Sequence, residues 1–240
     1  MSNVRKNFII SGLLVMLSLI YTVLVKMVDV AAIGPNKSEV GFSSLNSFVH
    51  NLTGESELWY NITEYLALIP IFMVFVYALI GLKQLIERKS LFKVDRELLA
   101  LGIFYIVVIA VYLFFELFIV NYRPVLMDGE LEASYPSSHT LIALCLCMGS
   151  VLINKVKYNR YPITRIINLV LFITMVVLVV GRILSGVHWF SDIIGGVVIS
   201  SAIVMMYYSY LKYLQETSKW YLFFYKYILF LSKICYNWFN

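Results

Sequence analysis

Long apolar runs separated by short polar stretches dominate the chain, and their lengths predict six membrane-crossing helices. The runs cover about Asn7 to Met27, Trp59 to Leu82, Leu98 to Ile119, His139 to Ile153 with its flanks, Ile166 to Val180 and Trp189 to Leu211. Most approach the roughly 20 residues that an α-helix needs to cross the hydrocarbon core. The first run is longer than the roughly 7–15-residue core of a signal peptide, so a retained helix is expected. The stretch from Asp29 to Glu57 carries Gly34-Pro35-Asn36 and many Ser and Asn residues, and reads as a loop. The tail from Trp220 to Phe239 is aromatic and apolar but interrupted by Lys226 and Lys233. It reads as a helix lying in the interface, with a seventh span as the alternative.

The predicted fold is an all-α integral membrane protein, a six-transmembrane-helix bundle in a single domain over residues 1–240, with its chemistry within about 98–211. Composition supports this. The chain is 61% hydrophobic and 14% charged, whereas about a quarter of residues are charged in soluble domains. The six runs leave no room for a separate soluble domain. The three cysteines are an odd number without metal-ligand spacing, and Cys145 and Cys147 fall inside an apolar run, so buried inert thiols are expected.

The net charge of +5 raises the question of nucleic acid, but the distribution of charge argues against it. Arg5 and Lys6, then Lys83, Arg88, Lys89, Lys93 and Arg96, then Lys155, Lys157, Arg160 and Arg165 fall on one side when alternate connections are counted. The other side holds only Lys26, Lys37, Arg123 and Arg182. Because Lys and Arg collect on the cytoplasmic side, both termini are expected inside. The partners this implies are membrane lipids, not nucleic acid.

Arg123 and Arg182 belong to three clusters that share the opposite, outer face. These are Asn121-Tyr122-Arg123-Pro124, then Tyr135-Pro136-Ser137-Ser138-His139, then Gly181-Arg182 through His188 to Asp192. Singly, the first fits an interfacial arginine and the second a helix N-cap. Jointly, they place ionisable groups at the membrane edge, where their cost marks a functional site. Phosphoryl transfer needs cationic contacts around the phosphoryl oxygens, a nucleophile in line, and a proton for the leaving oxygen. Arg123 and Arg182 supply planar forks of donors. Ser137 and Ser138 stand at a predicted helix start, where hydroxyls and free backbone N–H groups suit an anion. His188 and Asp192 are four apart, so a helix would put the carboxylate where it orients the imidazole. His139 comes from another segment and is placed to protonate a departing alkoxide.

These clusters resemble the tripartite signature of the type 2 phosphatidic acid phosphatase superfamily, the integral-membrane lipid phosphate phosphatases. Its pattern is Lys-x6-Arg-Pro, Pro-Ser-Gly-His and Ser-Arg-x5-His-x3-Asp. Arg123-Pro124 matches the end of the first block, and Pro136-Ser137-Ser138-His139 the second with Ser for Gly. Arg182, His188 and Asp192 match the third, with Gly181 for Ser. The resemblance covers about Leu98 to Leu211 and implies a metal-independent enzyme with no cofactor. It implies His188 as a nucleophile that becomes phosphorylated, His139 as the acid, and Arg123 and Arg182 as holders of the phosphate.

The expected function is hydrolysis of a phosphomonoester or diphosphate on a lipid at the outer face. Polyprenyl diphosphate, phosphatidic acid and phosphatidylglycerol phosphate are the candidate substrates. A phosphotransferase using the same intermediate, and a non-catalytic lipid-phosphate binder, are the alternatives. One departure bears on this choice: Glu116 stands where the first block has lysine. Glu116 is read as a modulator that pairs with Arg123 or holds a proton at depth, with an impaired site as the third reading. The acidic turn of Asp128, Glu130 and Glu132 reads as solvated, the alternative being selection against highly anionic substrates.

Overall fold

The computed structural model describes the backbone of residues 2–239 and the side chains of residues 3–218. Among the described residues eight α-helices follow one another: α1 (Ser2–Met27), α2 (Ser43–Thr53), α3 (Glu57–Leu66), α4 (Leu68–Arg88), α5 (Arg96–Leu117), α6 (Ser138–Ile153), α7 (Ile163–Ser185) and α8 (Phe190–Phe239). Among the described residues, six stretches are long and apolar enough to cross a membrane: Asn3–Met27, Glu57–Arg88, Arg96–Leu117, Ser138–Tyr158, Ile163–Ser185 and Phe190–Ser218. They match the six runs expected from the sequence. The expectation for 220–239 concerns side chains outside the described residues.

Two expectations are corrected. The second run is not one helix but α3 and α4, divided at Ala67. Pro70 has no N–H to donate to Leu66, four residues back, and its ring crowds that carbonyl, so the break falls there. The stretch from Asp29 to Glu57 is also not a plain loop, because it contains α2. Leu45, Phe48 and Leu52 recur at helical spacing and face outward, while Ser43 and Asn46 are buried. The helix is amphipathic with its polar side inward, so total polarity hid the period.

α6 lies at the centre, packed on α4, α5, α7 and α8, while α1 lies along α8 and α3 along α7. Leu101, Phe104, Leu141, Ile153, Ile199 and Leu211 form the core between them, with Cys145 buried among them and Cys147 buried beside it as free thiols. Close packing, not exclusion of water, holds helices together in lipid, so small residues matter at crossings. At Gly195 a Cβ would come within 2.3 Å of the Tyr135 ring. Only glycine lets α8 run this close to the segment that leads into α6.

The bundle has two polar ends. One is formed where α4 meets α5 and α6 approaches α7. The other gathers the end of α5, the start of α6, the end of α7 and the start of α8, together with α2 and α3.

Candidate active site

After α5 the chain folds back on itself in a short ribbon. Met127 and Glu130 exchange backbone hydrogen bonds of 3.0 and 2.9 Å around Asp128 and Gly129, both at positive φ. Asp-Gly is the pair such a tight hairpin turn favours. Tyr122 pairs with Ala133, and Arg123 N–H donates to the Glu132 carbonyl at 3.1 Å. The acidic turn is thus a hairpin that brings Glu132 beside Arg123. Its Oε2 lies 3.2 Å from Arg123 Nε, although the N–H is not directed at it.

Beyond the ribbon, α6 begins with Ser137 as its N-cap, the hydroxyl accepting from Thr140 N–H. Ser137 is fully buried, and its own N–H donates to the Asp192 carbonyl. Ser137 therefore shapes the site, while Ser138 lines a small cavity together with His188, Ser134, Tyr112 and Glu116. His139 stands in the first turn of α6.

Arg182 projects from the last turn of α7 and is fully buried. Its Nη2 donates to Glu64 Oε1 at 2.6 Å, and its guanidinium lies 5.1 Å from the centre of the Tyr60 ring. The same Glu64 oxygen lies 3.2 Å from His139 Nε2. α3 can deliver Glu64 because it packs closely on α7. A Cβ at Gly181 would meet Thr63 at 2.5 Å and Trp59 at 3.2 Å, a contact that accounts for Gly181 in place of the family serine.

His188 precedes α8 and does not share its face with Asp192, which corrects the helical spacing inferred from the sequence. Asp192 instead reaches back to accept from Trp189 N–H at 3.2 Å, as the third residue of a helix does when it caps the start. The link to the imidazole runs through a third residue. Ser134 Oγ–H donates to Asp192 Oδ2 at 2.6 Å, and Ser134 Oγ lies 3.0 Å from His188 Nδ1. With the serine proton committed to the carboxylate, its oxygen accepts from Nδ1–H, which leaves the lone pair on Nε2. Asn121 Nδ2 donates to the other carboxylate oxygen at 3.0 Å. Burial, then the charges of Arg123 and Arg182, hold the His188 imidazole well below its usual pKa, so it stays neutral.

The structure therefore brings Arg123, Ser138, His139, Arg182, His188 and Asp192 to one end, with Ser137 beneath them. Two further residues, Glu64 and Ser134, were not singled out by the sequence, and Asn121 stood in the first cluster without a role. Glu116 lines the cavity beside His188, together with Tyr112. The carboxylate that pairs with Arg123 is Glu132, not Glu116.

Several buried polar atoms here lack a hydrogen-bond partner among the described residues: Arg182 Nε and Nη1, Arg123 Nε, His139 Nδ1, Thr140 Oγ1 and His188 Nε2. Native interiors seldom leave such groups unpaired, and a cluster of them calls for an explanation. Four are donors or hydroxyls suited to an anion, and the other two are ring nitrogens of the paired histidines.

A search of curated proteins finds no match. Among solved structures, a transmembrane PAP2-type phosphatidylglycerolphosphate phosphatase from Bacillus subtilis shares the fold with a TM-score of 0.53 and 17% identity. The match covers 84% of this chain and 96% of that one. The family model of the PAP2 superfamily matches residues 98–216, the segment that carries all three clusters. The protein belongs to the PAP2 superfamily.

Proposed function

We propose that the protein is a membrane lipid phosphatase that removes a phosphoryl group from a lipid phosphomonoester or diphosphate through a phosphohistidine on His188. The observation that carries this is the set of unpartnered donors around a neutral, buried His188 whose Nε2 is open. Family membership and the phosphatase named among similar folds support it. The basic residues at the opposite end favour an outward-facing site with both termini inside.

The chemistry follows from the geometry. Arg182 and Arg123 hold the phosphoryl oxygens. The His188 Nε2 lone pair forms the N–P bond as the bond from phosphorus to the lipid oxygen breaks. The Nδ1 proton remains on the ring, shared with Ser134 and through it with Asp192. Glu64 fixes His139 Nε2 as an N–H in both protonation states, so Nδ1 is the atom that gains and loses the proton. That proton goes to the leaving oxygen. His139 Nδ1 then takes a proton from water, whose oxygen attacks phosphorus as the N–P bond breaks.

The test is phosphate release by purified protein in detergent with EDTA, using polyprenyl diphosphate, phosphatidic acid and phosphatidylglycerol phosphate. Release that survives EDTA and vanishes in His188→Ala is expected. Release that persists in His188→Ala would overturn the reading.

A further inference from the structure

Each arginine of the site has a carboxylate beside it. Arg182 donates to Glu64 at 2.6 Å, and Arg123 lies 3.2 Å from Glu132. A third carboxylate, Glu116, lines the cavity beside His188 at the position where the family pattern has a lysine. Lys26 and Lys37, the other basic residues assigned to this side, are exposed and do not line that cavity. Two carboxylates therefore stand beside the two guanidiniums, and a third lines the cavity at His188, before any substrate arrives. Asp192 lies deeper, held by Ser134, Asn121 and the Trp189 N–H.

The unpartnered groups limit what can be bound. Arg182 is fully buried yet leaves Nε and Nη1 open, and Arg123 Nε and Thr140 Oγ1 join them. This set suits the oxygens of a single phosphoryl group. A second phosphoryl group would have to lie on the leaving side, next to His139. There it would meet the Glu64 carboxylate, which touches His139 and Arg182 through one oxygen. A neutral or cationic alcohol meets no such repulsion, and a hydroxyl or ammonium on it gains an acceptor. Charge–charge terms of this kind act strongly in a site partly removed from water.

We infer that the site selects lipid phosphomonoesters, with one phosphoryl group on a neutral or cationic alcohol, and disfavours lipid diphosphates. This rests on the phosphatase reading above and narrows its substrate class. Glu116 and Glu64 are the residues that set the preference.

The experiment compares farnesyl monophosphate with farnesyl diphosphate, which share one chain and differ in charge. Phosphate release from each is measured with the full-length protein in detergent. The ratio of kcat/KM should favour the monophosphate by at least about tenfold. Glu116→Gln should reduce that ratio and Glu116→Lys should reduce it further, whatever either variant does to the absolute rates. Because only the ratio is read, partial loss of folding cannot produce the result. Equal or better turnover of the diphosphate by the native protein would overturn the inference and leave the phosphatase reading standing. A ratio unmoved by both variants would overturn the role of Glu116. Release from neither substrate would overturn the phosphatase reading and this inference with it.

Discussion

The two polar ends of the bundle use charge in opposite ways. At one end Asp95 accepts from Lys157 at 2.6 Å, Arg88 at 2.8 Å and Gln84 at 3.0 Å, and Lys157 also reaches Glu97. Burial pushes the Asp95 carboxyl up, but hydrogen bonds from Lys157, Arg88 and Gln84 outweigh it and bring its pKa to about 2. These charges satisfy one another and tie α4 and the start of α5 to Lys157, in the π-helical turn Asn154–Tyr158 that follows α6. At the other end Arg182 is more deeply buried than any of them, yet two of its nitrogens are left open. Buried groups that evolution needed only for stability would be paired; groups left open at a cost are held ready for something that arrives. Charge alone does not distinguish the two ends. The state of its partners does.

The sharpest way to break this contrast is Arg182→Ala. Removing the fork should lower kcat/KM roughly 10²–10³-fold, the loss seen when one preorganised donor to a transition state is deleted. Arg182→Lys should recover little, since a point charge does not reproduce the planar donors. Steady-state phosphate release checks both.

Ser134→Ala should cost less. It removes the link from Asp192 to His188 and frees the ring to take the wrong tautomer. Formation of the phosphorylated enzyme should slow about 10- to 100-fold, equivalent to one strong hydrogen bond lost in the transition state. Ser134→Thr keeps the hydroxyl and should restore most of the rate. A merely structural serine would lower stability in both variants without separating them in the phosphorylation step.

The pH profile probes the same region with the protein intact. His188 is held neutral by burial and by the nearby guanidiniums. Its imidazole therefore keeps an available lone pair below about pH 6.5, where a free imidazole protonates. The acid limb of phosphoenzyme formation, read in single turnover at saturating substrate, should lie below that value. A limb at or above it would mean that the site does not hold the ring neutral.

Asp95→Asn should have the smallest effect on chemistry and a plain one on stability. A carboxyl with a depressed pKa contributes stability that is present above about pH 4 and is lost as pH falls toward about 2. The variant should melt earlier in detergent at neutral pH and lose less on acidification, with turnover per folded molecule unchanged. Loss of turnover would contradict the separation of the two ends.

Much of this was legible in the sequence, for identifiable reasons. Each span advertises itself through its own length and hydropathy, so six helices follow from local pattern alone. Arg123, His139, Arg182, His188 and Asp192 are legible because ionisable residues beside apolar runs are rare and these fall in order. Glu64 was not, since one carboxylate near the start of a span gains meaning only when Pro70 breaks the helix and Gly181 lets α3 press against α7. Ser134 is an ordinary serine until the hairpin ribbon brings it between Asp192 and His188. The direct contact expected from i,i+4 spacing failed because α8 starts at Phe190, after the histidine. Local patterns state what a segment is, whereas the partners of a side chain depend on segments far away in sequence.

The most direct test of the central claim is to trap the phosphorylated enzyme. The protein is mixed with lipid substrate labelled in its phosphoryl group, quenched within milliseconds in alkali, and the label mapped by peptide analysis. The account predicts an acid-labile, alkali-stable phosphoramidate on His188, present at early times and missing from His188→Ala. Phosphate release at full rate with no label on His188 at any time would contradict it.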